Sequence, residues 1–191
     1  MDDNNFTSGD ANDKSFFNIS KKTKTINTYE IYLNQSIKMT ENLYRLLEVF
    51  RHATKNDVIK IYINSPGGRM DTTLSILHAM DECKAKIITI ADGKVASAAT
   101  FIFLAGDERK ICDFAYFMFH QYSGGVSGKG HEMREKVDFT YDHYEKFFKF
   151  YYGDLFTDDE IEKMLYGKDK WIDKEGMLKL LEKDKEEVDK E

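Results

Sequence analysis

Apolar positions along this chain switch several times between a spacing of two and a spacing near three to four, and each switch marks an element. Tyr29 to Leu33 (Y-E-I-Y-L) alternates and predicts a strand. Thr40 then caps a predicted helix whose Leu43, Leu46, Leu47 and Phe50 recur at i, i+3, i+4 and i+7, an apolar stripe on one face only. Val58 to Asn64 (V-I-K-I-Y-I-N) predicts a second strand that stops at Ser65-Pro66-Gly67-Gly68. Pro66 is the only proline in the chain; it stiffens this turn, and the two glycines permit backbone angles and close approach that a side chain forbids. With Asp71 as cap, Leu74, Leu77 and Met80 predict the next helix, and Ala85 to Ala91 (A-K-I-I-T-I-A) a buried strand. Strand, helix and strand in this order form a crossover unit of an α/β fold.

Gly93 to Thr100 (G-K-V-A-S-A-A-T) holds one polar residue, Ser97, within a run of very small ones. Ala98 to Ala105 reads as a helix, which makes Ser97 a strand-exit, helix-entry residue. By pattern alone that is an N-cap; it is also where free backbone N–H groups favour developing negative charge. Ala105 to Glu108 predicts a turn, and Tyr116 to Phe119 a strand with His120 at its end. Gln121 to Gly125 follows, and then a Gly/Ser/Lys stretch through Gly130 that is a loop or a permissive edge strand. His131 to Tyr152 is a helix by length, with Phe139, Tyr141, Tyr144, Phe147, Phe148, Phe150, Tyr151 and Tyr152 on more than one face, which predicts burial between subunits. Thr157 and Glu160 form a capping box for a short helix through Leu165; Gly167 to Trp171 is a loop, and residues 174–191 a charged helix or tail.

Composition narrows the class without naming a chemistry. The 191 residues suit one domain, here expected as a core over 28–178 between a flexible polar arm (1–27), in which Phe16, Phe17 and Ile19 form one apolar patch, and a charged tail (179–191). The 14 Phe and 11 Tyr exceed what a core alone requires. A formal net charge of −6 without a basic stripe argues against nucleic acid as partner. Cys83 and Cys112 lack metal spacing and are expected to be reduced, buried thiols. An acidic start, no leader and no apolar run of the roughly 20 residues a spanning helix needs lead to the expectation of a cytoplasmic protein with no membrane partner. No cofactor or metal motif is found.

Chemistry enters through Ser97, His120 and Asp169. A serine attacks an acyl carbon when a base takes its proton and an acid holds that base in the right tautomer. His52, His78, His131 and His143 compete with His120 for the base, and Lys94 offers a Ser-Lys arrangement. The glycine turn adds oxyanion donors, with the Gly68 and Ala98 amides the natural pair. The G-x-S-x-G elbow is absent, since position 95 is Val and position 99 is Ala, and Ser65 to Gly68 lacks the pattern and lysine of a phosphate loop.

Together, Ile61-Tyr62-Ile63-Asn64-Ser65-Pro66-Gly67-Gly68, Gly93-Lys94-Val95-Ala96-Ser97-Ala98 with Leu104-Ala105-Gly106, and Phe119-His120-Gln121 with Gly124-Gly125 resemble the proteolytic subunits of Clp proteases, within the crotonase-like superfold. The resemblance covers roughly residues 29–176. It implies an α/β fold of repeated ββα units with a protruding handle helix at about 130–155. It further implies a serine endopeptidase acting on unfolded proteins or peptides, with Ser97 as nucleophile, His120 as general base, Asp169 as orienting acid (Asp173 as the fallback), and Gly68 and Ala98 as oxyanion donors. Gly67, Gln121, Tyr122, Gly124 and Gly125 would line the substrate. Partners implied are polypeptide substrates, further copies in a heptameric ring, single or stacked as two, and an ATP-driven unfoldase. The chain departs from the family at Tyr122, where a proline is usual, in its N-terminal arm and in its Lys/Glu-rich end. A catalytically silent subunit and a crotonase-like acyl-thioester enzyme are the alternatives.

Overall fold

The computed structural model describes residues 26–188. The elements run β1 (Thr28–Leu33), α1 (Glu41–His52), β2 (Val58–Ser65), α2 (Met70–Asp81), β3 (Lys86–Ala96), α3 (Ala98–Leu104), β4 (Glu108–Ile111), β5 (Tyr116–Phe119), α4 (Gly130–Tyr152), α5 (Asp158–Leu165), β6 (Lys170–Asp173) and α6 (Lys174–Val188). The strands form one sheet in the order β1-β2-β3-β5-β6, with β4 also on β3; all pairs are parallel except β5 with β6. The apolar patch expected at Phe16, Phe17 and Ile19 lies outside the described residues.

β3 is the spine of this arrangement. Its first half pairs with β4 and its last three residues, Lys94 to Ala96, with β5. The sequence pattern ends this strand at Ala91. The strand instead continues to Ala96, and the register between β2 and β3 shifts between Ile63 and Ser65. The Asn64 side chain spans that irregularity, its Oδ1 accepting the Lys94 N–H at 3.1 Å. A polar side chain thus takes over a ladder position, which a hydropathy pattern does not reveal.

Other expectations change in similar ways. β4 begins at Glu108, the last residue of the predicted turn, where no strand was expected, and β6 begins at Lys170, inside the predicted loop. The stretch after Gly125 is loop through Lys129 rather than edge strand, and Gly130 already opens α4. Asp71 is not the cap of α2: the helix starts at Met70, Arg69 occupies the cap position, and the Arg69 carbonyl already accepts the Thr73 N–H at 3.0 Å. Asp71 sits in the first turn, accepts the Thr72 N–H at 2.7 Å and clasps the Arg69 guanidinium. Cys83 and Cys112 are free thiols as expected but half-buried rather than buried, and desolvation raises both above their ordinary pKa.

The core joins the inner helices to the sheet through aromatic rings. Phe101 stacks on Tyr152 at 4.6 Å, and Phe119 meets Tyr152 edge-on at 5.2 Å and Phe156 at 5.0 Å. Each such ring contributes about 1.5–3 kcal/mol by burial. They fix the C-terminal end of α4 beside α3 and β5. The N-terminal part of α4 is largely exposed, with Phe139 at 69% exposure, and at its C-terminal end Phe150, at 77%, faces away from the buried Phe148 and Tyr152. Among the described residues no helix is long and apolar enough to cross a membrane.

Candidate active site

Ser97 is the single residue between β3 and α3, and its backbone is held from both sides. Its N–H donates to the Met118 carbonyl at 2.8 Å, and its own carbonyl accepts the Thr100 N–H at 2.9 Å and the Thr100 hydroxyl at 2.7 Å. These bonds hold φ at 55° and ψ at −129°, a conformation that costs a residue with a Cβ about 1–3 kcal/mol. The side chain makes no capping hydrogen bond, so the N-cap expectation is corrected: Ser97 stands at the cap position, but its hydroxyl is not spent there.

The glycine turn packs directly on this residue. A methyl group on Gly67 would lie 2.5 Å from the Ala96 carbonyl oxygen, 2.7 Å from Ser97 Cβ and 2.8 Å from the Ala98 nitrogen. Gly67 has φ 87° and Gly68 φ 154°, both in the region that favours glycine. The Gly67 carbonyl accepts the Ile37 N–H at 2.9 Å and the Arg69 N–H donates to the Ile37 carbonyl at 3.0 Å, so the Gly68 N–H takes no part in that bridge. Ala98 opens α3, and its N–H has no intrahelical acceptor. Ser65 stabilises the turn from below: its hydroxyl donates to the Gln35 carbonyl at 2.7 Å and accepts the Gly67 N–H at 3.1 Å.

Ser97 and His120 line one cavity of about 490 Å³, together with Gly68 and Tyr122. Both side chains are half-buried, and among the described residues no hydrogen bond joins them. The remaining walls come from residues that sequence reasoning did not assign. Ile37 and Lys38 follow β1, Arg69 and Met70 open α2, Phe101 lies on α3, and Tyr144 and Phe148 project from α4. The one available signal was the i, i+4 spacing of Tyr144 and Phe148, which places them on one helix face. Burial, with the Asp71 carboxylate and Tyr122 nearby, raises the Tyr144 phenol above its ordinary pKa and keeps it a donor at neutral pH. Its ring lies 4.4 Å from that of Tyr122.

Asp169 is placed differently. It is exposed and lines a separate cavity of about 290 Å³ with Glu160, Met164 and three lysines. It immediately precedes β6, as His120 immediately follows β5. The β5–β6 register pairs Phe119 with Lys170, so His120 and Asp169 are the residues that flank the last pair of that antiparallel ladder. Asp173, the fallback, lies at the other end of β6 opposite Tyr116, and its Oδ1 accepts the Gly176 N–H at 2.8 Å. Gln121 follows His120 and is half-buried. Gly124 and Gly125 are exposed, with nothing within 4 Å of an added Cβ. Among the described residues no three His, Cys, Asp or Glu side chains converge as a metal set.

Comparison with known proteins places this geometry in a lineage. The Clp protease family model matches residues 12–177. The chain belongs to the Clp protease family. Its fold is therefore of the crotonase-like class, here with six helices and a six-stranded sheet among the described residues. An ATP-dependent Clp protease proteolytic subunit 2 from Treponema denticola is 32% identical over 114 residues, covering 58% of this chain and 57% of that protein. A proteolytic subunit from Chlorella vulgaris is 37% identical over 81 residues, 41% of this chain and 40% of that one. A proteolytic subunit 3 from Rhizobium etli is 40% identical over 78 residues, 40% of each. The matches thus span 40% to 57% of these relatives' lengths. Within a Clp protease family chain, the glycine turn, the Ser97 turn and His120 are the parts that converge on one cavity.

Proposed function

We propose that this chain is a serine endopeptidase that hydrolyses peptide bonds of unfolded proteins or peptides through an acyl-enzyme at Ser97. Ser97 Oγ attacks the scissile carbonyl carbon as His120 takes its proton. The carbonyl oxygen, now negative, is held by the Gly68 and Ala98 N–H groups. The carbon–nitrogen bond then breaks as His120 returns the proton to the leaving amine, and a water activated by His120 releases the acyl group. Asp169 orients the imidazole and stabilises its charged form. General acid–base work of this kind contributes about 10²–10⁴-fold, and each oxyanion donor about 10²–10³-fold.

The observation that carries this reading is the state of Ser97: a hydroxyl unspent on capping, on a strained backbone, in the wall of a cavity it shares with His120. The aromatic and apolar lining from Met70, Phe101, Tyr122, Tyr144 and Phe148 suits an apolar side chain next to the scissile bond. The exposed outer half of α4 supports assembly of copies into a ring, single or double, with Gln121, Tyr122, Gly124 and Gly125 along the substrate path and an ATP-driven partner supplying unfolded chain. The reading places the enzyme in the cytoplasm.

The test is covalent labelling. A fluorophosphonate probe is expected to modify Ser97, and Ser97→Ala to lose both labelling and peptide cleavage, the latter by about 10⁴-fold or more. Labelling that persists in Ser97→Ala ends the proposal. A catalytically silent subunit is the second reading, favoured by the separate cavity that Asp169 lines; absence of labelling and of cleavage in the assembled wild-type protein would select it.

A further inference from the structure

The carbonyl of Ser97 and the N–H of Ala98 belong to one peptide group, and that group is bonded unusually heavily at its oxygen. Thr100 donates to it twice, from its N–H at 2.9 Å and from its hydroxyl at 2.7 Å. The same Thr100 hydroxyl lies 2.7 Å from the hydroxyl of Tyr152, fifty-two positions later at the end of α4. A carbonyl oxygen only accepts, so the single proton of Thr100 Oγ1 goes to Ser97, and the Tyr152 hydroxyl must donate to Thr100. The result is a one-way relay, Tyr152 O–H to Thr100 O–H to Ser97 C=O.

The relay is enclosed. Thr100 is 0% and Tyr152 1% exposed, and Phe101, Phe119 and Phe148 surround the Tyr152 ring at 4.6, 5.2 and 5.2 Å. Burial drives the Tyr152 phenol far above its ordinary pKa, so it is a protonated donor at every working pH. Two hydroxyls in such a setting are costly unless bonded, and a valine and a phenylalanine would fill the same space without that cost. The Thr100 N–H alone already satisfies the Ser97 carbonyl. The one further donor at that oxygen, the Thr100 hydroxyl, and the Tyr152 hydroxyl behind it therefore need a reason beyond satisfying it.

We propose that Thr100 and Tyr152 are positioning residues for the oxyanion site: they hold and polarise the Ser97–Ala98 peptide so that the Ala98 N–H becomes a better donor to the tetrahedral intermediate. Hydrogen bonds accepted at a peptide oxygen draw electron density from its N–H, and in a dry setting such chains strengthen one another. The benefit grows as negative charge develops on the substrate oxygen and is small in the ground state, which is the condition for raising kcat rather than lowering KM. The relay also ties the turn of Ser97 to α4, whose outer half is exposed. This inference rests on the serine-peptidase reading above.

The experiment compares Thr100→Val, Thr100→Ser and Tyr152→Phe in the full-length assembled protein, on a fluorogenic peptide that the wild type cleaves. It also measures inhibition by a peptide boronic acid, whose tetrahedral adduct with serine resembles the intermediate. Losing a whole oxyanion donor costs about 10²–10³-fold, so weakening one is expected to lower kcat on the order of tenfold in Thr100→Val and about threefold in Tyr152→Phe. KM should stay within about twofold, boronate affinity should fall by the same factor as kcat, and Thr100→Ser should recover most of the loss. Wild-type kcat in Thr100→Val, a KM increase that accounts for the loss, or a kcat loss without matching loss of boronate affinity each overturns the relay. Should Tyr152→Phe not fold, the Thr100→Val and Thr100→Ser pair carries the same comparison. Failure of the wild type to take a fluorophosphonate at Ser97 would instead sink the peptidase reading itself.

Discussion

Gly67 lies so close to Ser97 that a single added methyl group would stand 2.7 Å from the serine Cβ, inside any normal carbon–carbon contact. The glycine turn and the serine turn, thirty positions apart, are one structural unit. Gly67→Ala is expected to fold less stably and to lose at least about 10²-fold in kcat/KM, because the alanine must displace the Ala96, Ser97 and Ala98 backbone and is itself strained at φ 87°. Gly124→Ala, where an added Cβ meets nothing within 4 Å, is the control and should fold as the wild type does. Steady-state kinetics beside thermal melts check both; near-normal activity in Gly67→Ala would show that the turn tolerates displacement.

The identity of the orienting acid can be separated by function. Asp169→Asn should lower kcat by roughly 10²–10⁴-fold with little change in melting temperature, as expected of an acid that holds a histidine tautomer. Asp173→Asn should leave kcat near normal, because Asp173 lies at the far end of β6 with its carboxylate on the Gly176 N–H. The opposite pattern would transfer the role to Asp173.

Asp57 provides a pH-dependent term away from the site. Its carboxylate accepts the Thr54 N–H and hydroxyl at 2.8 and 2.7 Å, and the Asn27 N–H and side-chain amide at 2.9 Å each, tying the start of β1 to the loop before β2. These bonds, led by the Thr54 N–H, hold its pKa down to about 2 from 3.8. A depressed carboxylate pKa stabilises the fold above the unfolded-state value, and that stabilisation is lost as pH falls through the folded-state value. The stability gap between wild type and Asp57→Asn should therefore be full above about pH 4 and close as pH approaches 2. Urea unfolding across that window measures it; a gap independent of pH would contradict the assignment.

Self-association is expected to depend on the exposed rings of α4, one in its outward half and one near its C-terminal end. Phe139 and Phe150 are 69% and 77% exposed, and apolar rings of that size are costly to leave in water. Replacing both with Ser should weaken assembly by at least about tenfold while leaving the inner face, Phe148 and Tyr152, to hold the fold. Analytical ultracentrifugation at micromolar concentration is the measurement, and a wild type that sediments as a clean monomer would remove the ring from the proposed function.

What was legible in the sequence is what local chemistry dictates. The amphipathic stripe of α1 and the capping box of α5 are local patterns, and the Pro66-Gly67-Gly68 turn follows from the φ freedom of glycine. Ser97 between a strand and a helix could also be located, and with His120 and Asp169 it could be singled out as chemistry-bearing. Its conformation could not, because φ 55° results from bonds to Met118 and Thr100 and from the approach of Gly67. The length of β3 was hidden for the same reason: pairing of Lys94 to Ala96 with β5, together with the Asn64 side chain at Lys94, carries the strand onward. Lys38, Arg69 and Tyr144 entered the cavity wall only when the crossovers and α4 brought separate parts of the chain together. The sequence by itself thus determined the elements, the small residues around Ser97 and the candidate chemistry, since these follow from backbone propensity and residue type. Only the tertiary structure decided which amides remain unspent, which side chains wall the cavity and that Tyr152 reaches Thr100, because those depend on distances between segments that no local pattern encodes.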